Sequence, residues 1–168
     1  VDSNRQVVVV RHAKAEAFAP NDVDRVLADS GRADARALGR WFREQGIDAD
    51  AAYVSYAART RETWALVAEA ARWEVEPEID GGLYGTDEDG VLELLRETDD
   101  SARTAVVVGH NPAIGLLAQL LDDGDGGAAG TDLAGFPTCT AAVFEVTCSW
   151  ADVAPMCARL RAFHVARA

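Results

Sequence analysis

Four consecutive valines, Val7 to Val10, run directly into Arg11 and His12. No other stretch constrains the fold as tightly. β-Branched residues favour extended backbone. An unbroken apolar run has no polar face to turn to solvent, so it reads as a strand covered on both sides, as in a parallel sheet between helix layers. A guanidinium and an imidazole do not belong inside such a strand. They belong at its C-terminal end, where open α/β sheets bind ligands.

The remaining pattern agrees with that architecture. Residues 15–30 are irregular, and long loops beside a site are often functional. Asp29-Ser30-Gly31 offers a helix N-cap, and residues 32–45 carry Ala35, Leu38, Trp41 and Phe42 at helical spacing before a stop at Gly46. A short strand covers 51–54 and ends at Ser55; a helix covers 58–72; an alternating strand covers 74–79. Residues 81–85 read as a loop, followed by a short helix on Val91, Leu92, Leu94 and Leu95. A second buried strand, 104–108, stops at Gly109-His110-Asn111-Pro112. There Asn111 suits an N-cap and Pro112 the first helical position of a helix reaching about Leu121. Residues 122–135 are Gly- and Asp-rich and read as a mobile loop without calcium-loop spacing. Residues 140–147 are a last clear strand, whereas 156–165 fit a strand or a helix. Trp41, Trp64 and Trp73 read as packing residues, and Trp150 as core or surface. Strands alternating with helices predict an α/β fold, one three-layer α/β/α domain spanning 1–168 with a mostly parallel central sheet.

The chain has 168 residues, enough for one full core and too few for two comfortable domains. Its formal net charge of −12 argues against nucleic acid or an anionic membrane as partner. An anionic substrate must then be drawn in by a local cluster of cations. Cys139, Cys148 and Cys157 form no CxxC or CxxH pair, which predicts reduced thiols of a cytoplasmic protein, not a disulfide framework or a zinc site. No stretch reads as a membrane span, and no metal or cofactor is expected.

Such a cation cluster is present. His12 and His110 each end a valine-rich strand at the expected ligand edge. Arg11 has a planar fork suited to phosphate oxygens. Arg59 follows Ser55 into the first turn of a helix, with Arg61 the solvated alternative. The helix after Pro112 presents free N–H groups beside His110. Lys14, Ser55 and Asn111 are read as substrate-binding. Taken singly, any of these cations could instead pair with one of the 28 carboxylates.

At these residues the chain resembles a known family. Arg11-His12-Ala13 resembles the RHG signature of the histidine phosphatase (phosphoglycerate mutase-like) superfamily. Ser55 to Arg59 with Thr63 resembles its second Arg motif, and Gly109-His110-Asn111-Pro112 its second His motif. Leu83-Tyr84-Gly85 and the segment 25–31 also fit, and the small SixA-type phosphohistidine phosphatases are the nearest branch. The resemblance implies the phosphoglycerate mutase-like fold. It also implies that His12 is a nucleophile that becomes phosphorylated, with Arg11, Arg59 and His110 holding the equatorial oxygens before water attacks. His12 must be neutral to attack, and neighbouring guanidiniums push its pKa down.

The chain departs from the family pattern in three places. Ala13 replaces the signature Gly. The Glu that precedes a Tyr-Gly pair in mutases and many phosphomonoesterases is missing: Gly81 stands three before Tyr84, with only Asp80 near. The mutase-type Ser and Asn are replaced by Ala15 and Phe18. Asp80 and Glu16, and further off Asp87, are the acid candidates. An alkoxide leaving group needs a proton from such an acid, whereas imidazole leaves readily from phosphohistidine. The expected function is therefore a phosphatase acting on a phosphorylated protein, above all a phosphohistidine protein, or on a small phosphorylated metabolite. A mutase, or a non-catalytic phosphate or phosphoprotein binder on the same fold, are the alternatives. A small metabolite would favour a pocket lidded by loop 15–30 or loop 122–135, and a phosphorylated protein a shallow, accessible one; the sequence leaves both open.

Overall fold

The valine run is the middle of β1, Arg5–Arg11, and each of its four valines is at most 1% exposed. The computed structural model describes residues 4–126 and 133–168. In chain order the other elements are α1 (Asp29–Glu44), β2 (Ala51–Ser55), α2 (Ala58–Ala71), β3 (Glu78–Asp80) and α3 (Glu88–Arg96). There follow β4 (Thr104–Gly109), α4 (Ala113–Leu121), β5 (Thr140–Val146) and β6 (Ala158–Val165). Among the described residues six strands form one sheet in the order β3-β2-β4-β1-β5-β6. β3, β2, β4 and β1 are mutually parallel, β5 runs antiparallel to β1, and β6 pairs antiparallel with β5. The fold is thus α/β, with a mostly parallel sheet.

The pleat of β1 divides the core. Val7 and Val9 face a layer with Val91, Leu95, Ile114, Leu117 and Phe136. Val8 and Val10 face the opposite layer with Leu38, Phe42, Trp64 and Val67. Because both faces are covered, the run needs no polar alternation. Full burial of each valine contributes roughly 1.5–3 kcal/mol. Trp150 belongs to the core, and its indole N–H donates to the Ala102 carbonyl at 2.9 Å. Trp41 is half-buried and stacks on His164 with ring centroids 4.4 Å apart.

Several boundaries differ from expectation for identifiable reasons. α1 starts at Asp29, three residues before the expected start, and its N-cap is Ala28 with no side-chain cap bond. A bridge between Ala15 and Leu27 keeps the chain extended until the Ala28 amide reaches the Lys14 carbonyl at 2.9 Å. The 15–30 loop also contains a 3₁₀ turn at Asp22–Asp24. β3 is three residues long because Pro77, just before it, has no N–H to give to the ladder. Residues 81–85 include a 3₁₀ turn at Gly82–Tyr84. Pro112, not Asn111, is the N-cap of α4. The segment 156–165 is a strand from Ala158. A bulge opposite Val143 and Phe144 skips Arg161, which breaks the alternation that would mark a strand. At Gly46, φ is +71°, in keeping with a glycine helix stop. The glycine-rich stretch 127–132 within the expected 122–135 loop lies outside the described residues.

This topology brings the ends of β1, β2 and β4 to one edge of the sheet. The segment entering β5 joins them there, since Thr140 pairs with Arg11.

Candidate active site at the sheet edge

His12 continues the β1 ladder one residue past the strand. Its amide donates to the Gly109 carbonyl at 3.2 Å, and its carbonyl accepts from the Cys139 amide at 3.0 Å. The chain then turns, held by Thr63: the Ala13 amide donates to Thr63 Oγ1 at 3.0 Å, and that hydroxyl donates to the Arg59 carbonyl at 2.7 Å. One threonine thereby locks the His12 turn to the first turn of α2. His12 Nδ1 lies 2.7 Å from the Ala13 carbonyl. A carbonyl only accepts, so Nδ1 carries the ring proton and Nε2 the lone pair. The residue is 8% exposed. Burial pushes its pKa down to about 4; the Ala13 hydrogen bond opposes that shift, and the Arg59, Arg11 and Arg25 guanidiniums add to it. Guanidiniums were the expected cause, but burial is the larger one.

His110 faces His12 with ring centroids 5.4 Å apart. Its Nε2 lies 2.8 Å from Ser55 Oγ, and Ser55 is fully buried at the end of β2. If the hydroxyl donates to Nε2, the His110 proton sits on Nδ1. Burial first, then Arg59 and His12, lower the His110 pKa to about 3. Both rings are therefore neutral near pH 7.

The two arginines are anchored by their outer nitrogens. Arg11 Nη1 donates to the Phe136 carbonyl at 3.0 Å. Arg59 Nη1 and Nη2 donate to the Asp22 carbonyl and Oδ2 at 3.0 and 3.1 Å. Among the described residues, Arg11 Nε, Arg59 Nε and His110 Nδ1 are buried nitrogens without a hydrogen-bond partner. Buried donors are rarely left unpaired, because desolvation without a partner costs about 1–3 kcal/mol each. Two are guanidinium donors, and His110 Nδ1 is a third when the Ser55 hydroxyl donates to Nε2; all lie on residues grouped around His12, an arrangement that suits the oxygens of an anion.

The mouth is built by residues that sequence reasoning did not assign. Asp22 accepts from Arg59, from the Tyr84 hydroxyl and from Arg25 Nε at 2.9 Å. Tyr84 sets its ring edge-on to His110 and Tyr56 at 5.5 Å each, with the Arg59 guanidinium 5.9 Å from its centroid. Tyr84 and Arg25 lie in segments that carried the family resemblance, but Asp22 had no local signal beyond its place in a long loop.

Other expected site residues serve different ends in this structure. Ser55 is sealed beneath His110, so it positions that ring instead of meeting solvent. Asn111 donates from Nδ2 to the Phe136 carbonyl at 2.9 Å and accepts the Gly115 amide at 3.1 Å, so both ends of its amide are engaged. Lys14 is exposed, two residues after His12. Arg61 is exposed, with Nε donating to the Tyr56 carbonyl at 2.8 Å. Asp80 accepts the Gly82 amide at 2.6 Å, and Asp87 caps α3 through the Gly90 amide at 3.0 Å. Glu16 is exposed, and its carbonyl accepts from Arg25. Among the described residues, none of these three carboxylates hydrogen-bonds to either histidine ring. Among the described residues no group of three or more His, Cys, Asp or Glu is arranged to hold a metal ion, and no helix is long and apolar enough to cross a membrane.

A family model, described as histidine phosphatase superfamily (branch 1), matches residues 7–89. The chain is 36% identical to the uncharacterized protein Rv1276c of Mycobacterium tuberculosis over 167 residues, covering 94% of this chain and all of that one. It is 24% identical to the phosphohistidine phosphatase SixA of Escherichia coli, over 71% of this chain and 76% of that protein. A solved structure assigned as SixA of Nakamurella multipartitia superposes with a TM-score of 0.86 at 32% identity, covering 98% of both chains.

Proposed function

This chain belongs to the histidine phosphatase superfamily, and from that membership we propose that it is a SixA-like phosphohydrolase. In this reading it carries the phosphoryl group on His12 and acts on a phosphohistidine protein or a small phosphoester. The observation that carries the reading is the grouping of Arg11, Arg59 and His110 around the His12 ring, with Arg11 Nε, Arg59 Nε and His110 Nδ1 buried and without a hydrogen-bond partner among the described residues. They offer a negatively charged phosphoryl group the hydrogen bonds that the protein leaves unmade.

His12 Nε2 attacks phosphorus with its lone pair, and the bond to the leaving atom breaks with its electrons going to that atom. The proton stays on Nδ1 throughout, donated to the Ala13 carbonyl. The phosphorylated ring is then an imidazolium, already protonated for departure. Water attacks phosphorus, His12 leaves as neutral imidazole, and the two water protons depart with inorganic phosphate. The donors that bind the ground state also meet the charge that spreads over the equatorial oxygens. Neither step on a phosphohistidine substrate calls for a separate acid. Exposed apolar side chains at this edge, Phe18 after β1, Tyr56 after β2 and Leu116 on α4, suit contact with a macromolecular substrate.

The test is hydrolysis of p-nitrophenyl phosphate and of a panel containing a phosphohistidine peptide, 3-phosphoglycerate and nucleotides. The His12→Ala variant is expected to lose about a thousandfold or more in kcat. Turnover that does not depend on His12 overturns the phosphatase reading. A strong preference for alkyl phosphomonoesters overturns the choice of substrate.

A further inference from the structure

Resting on that phosphatase reading, we propose that Asp22 is a specificity-determining residue. Its carboxylate accepts a hydrogen bond from a protonated leaving-group nitrogen, selecting imidazole phosphoramidates over phosphate esters.

Placement comes first. In-line transfer puts the leaving group opposite the attacking His12 nitrogen, away from the buried ring and toward the mouth. Asp22 stands at that mouth, with 54% of its side chain exposed while Arg59 beneath it is 7% exposed. It shares Tyr84 with His110, since Tyr84 bonds Asp22 through its hydroxyl and meets the His110 ring edge-on.

Capacity and charge agree. A carboxylate has about four acceptor positions. Two on Oδ2 are taken by Arg59 and Tyr84, and one on Oδ1 by Arg25. One position on Oδ1 remains, on the half-exposed side chain. Tyr84 foremost, then Arg25 and Arg59, hold the Asp22 carboxyl well below the usual carboxylate range. It is an acceptor near neutral pH and has no proton to give.

The chemistry separates the two substrate classes. A phosphohistidine enters with its distal ring nitrogen protonated, and Asp22 accepts that N–H. His12 Nε2 attacks, the old P–N bond breaks, and its electron pair returns to the leaving ring nitrogen. The ring departs as neutral imidazole with its distal N–H still facing Asp22, and no proton crosses to or from the carboxylate. An ester oxygen instead develops negative charge facing a carboxylate, and an alkoxide lacks the proton it needs.

The experiment compares kcat/KM for phosphoimidazole and p-nitrophenyl phosphate in wild type, Asp22→Asn and Asp22→Ala. The ratio of the first to the second is expected to fall about tenfold or more in both variants, as loss of a charge-assisted hydrogen bond implies. Should Asp22→Ala fail to fold, Asp22→Asn still reads the ratio, because it keeps the side-chain volume and an acceptor oxygen for Arg59 and Tyr84. If both rates fall together and the ratio stays within about threefold, Asp22 merely holds Arg59 in place and the proposal is wrong. If wild type turns over the ester but not phosphoimidazole, the proposal also fails while the phosphatase reading stands. Absence of His12-dependent turnover of either probe overturns the phosphatase reading itself.

Discussion

Burial, more than any neighbouring charge, sets the state of the two histidines. With its pKa held at about 4, His12 stays neutral where an ordinary histidine would protonate near 6.5. After correction for substrate ionisation, kcat/KM on p-nitrophenyl phosphate should stay level as pH falls through 6.5, with the enzyme's acid limb near 4. A limb at 6.5 would show that the ring is better solvated than its surroundings imply. Arg11, His12 and His110 were legible in the sequence because each terminates a fully apolar run, and Arg59 because it follows a strand end by a few residues. The role of Ser55 was not legible. Nothing in its neighbours shows that its hydroxyl lies beneath His110, a partner 55 positions away. Asp22 was harder still, since one acid among many in a loop has no pattern.

Elements ending in tight contacts carry the site's precision. α1 approaches the exit of β1 so closely that a Cβ on Gly31 would lie 2.1 Å from the Lys14 carbonyl oxygen. The obstacle is backbone and cannot swing aside. Gly31→Ala should therefore destabilise the protein by about 1–3 kcal/mol, read as a lower urea midpoint at unchanged slope. The strain falls next to His12, so kcat should fall too, and an unchanged midpoint would show that α1 can shift without cost. Strands with unbroken patterns, β1, β2, β4 and β5, were legible to within a residue or two. β3 was shortened by Pro77, and β6 was obscured by the extra residue at Arg161. In both, backbone pairing overrides the side-chain period on which sequence reading depends.

For the molecule as a whole, one buried and one half-buried neutral histidine mean acid sensitivity. The unfolded chain takes up protons on His12 and His110 below about 6.5, whereas the folded chain resists until about 4 and about 3. Between those values the unfolded state binds more protons, so stability rises with pH. It is fully present above 6.5 and is lost as pH falls toward 4, by up to about 1.4 kcal/mol per pH unit for each histidine. Urea unfolding across that range should show the decline, with a shallower slope in His12→Asn; a flat profile would refute burial as the cause. The sequence by itself determined the central buried strand, the layered α/β architecture and the gathering of cations at one edge of an acidic protein. Those features follow from apolar runs and from where the runs stop, which are local properties of the chain. Only the tertiary structure decided that the loop after β1 folds back to bring Asp22 onto Arg59 and Tyr84, 37 and 62 residues away. It also decided which donors around His12 remain unpaired. Such contacts depend on how separate segments pack, and no periodicity along the chain records them.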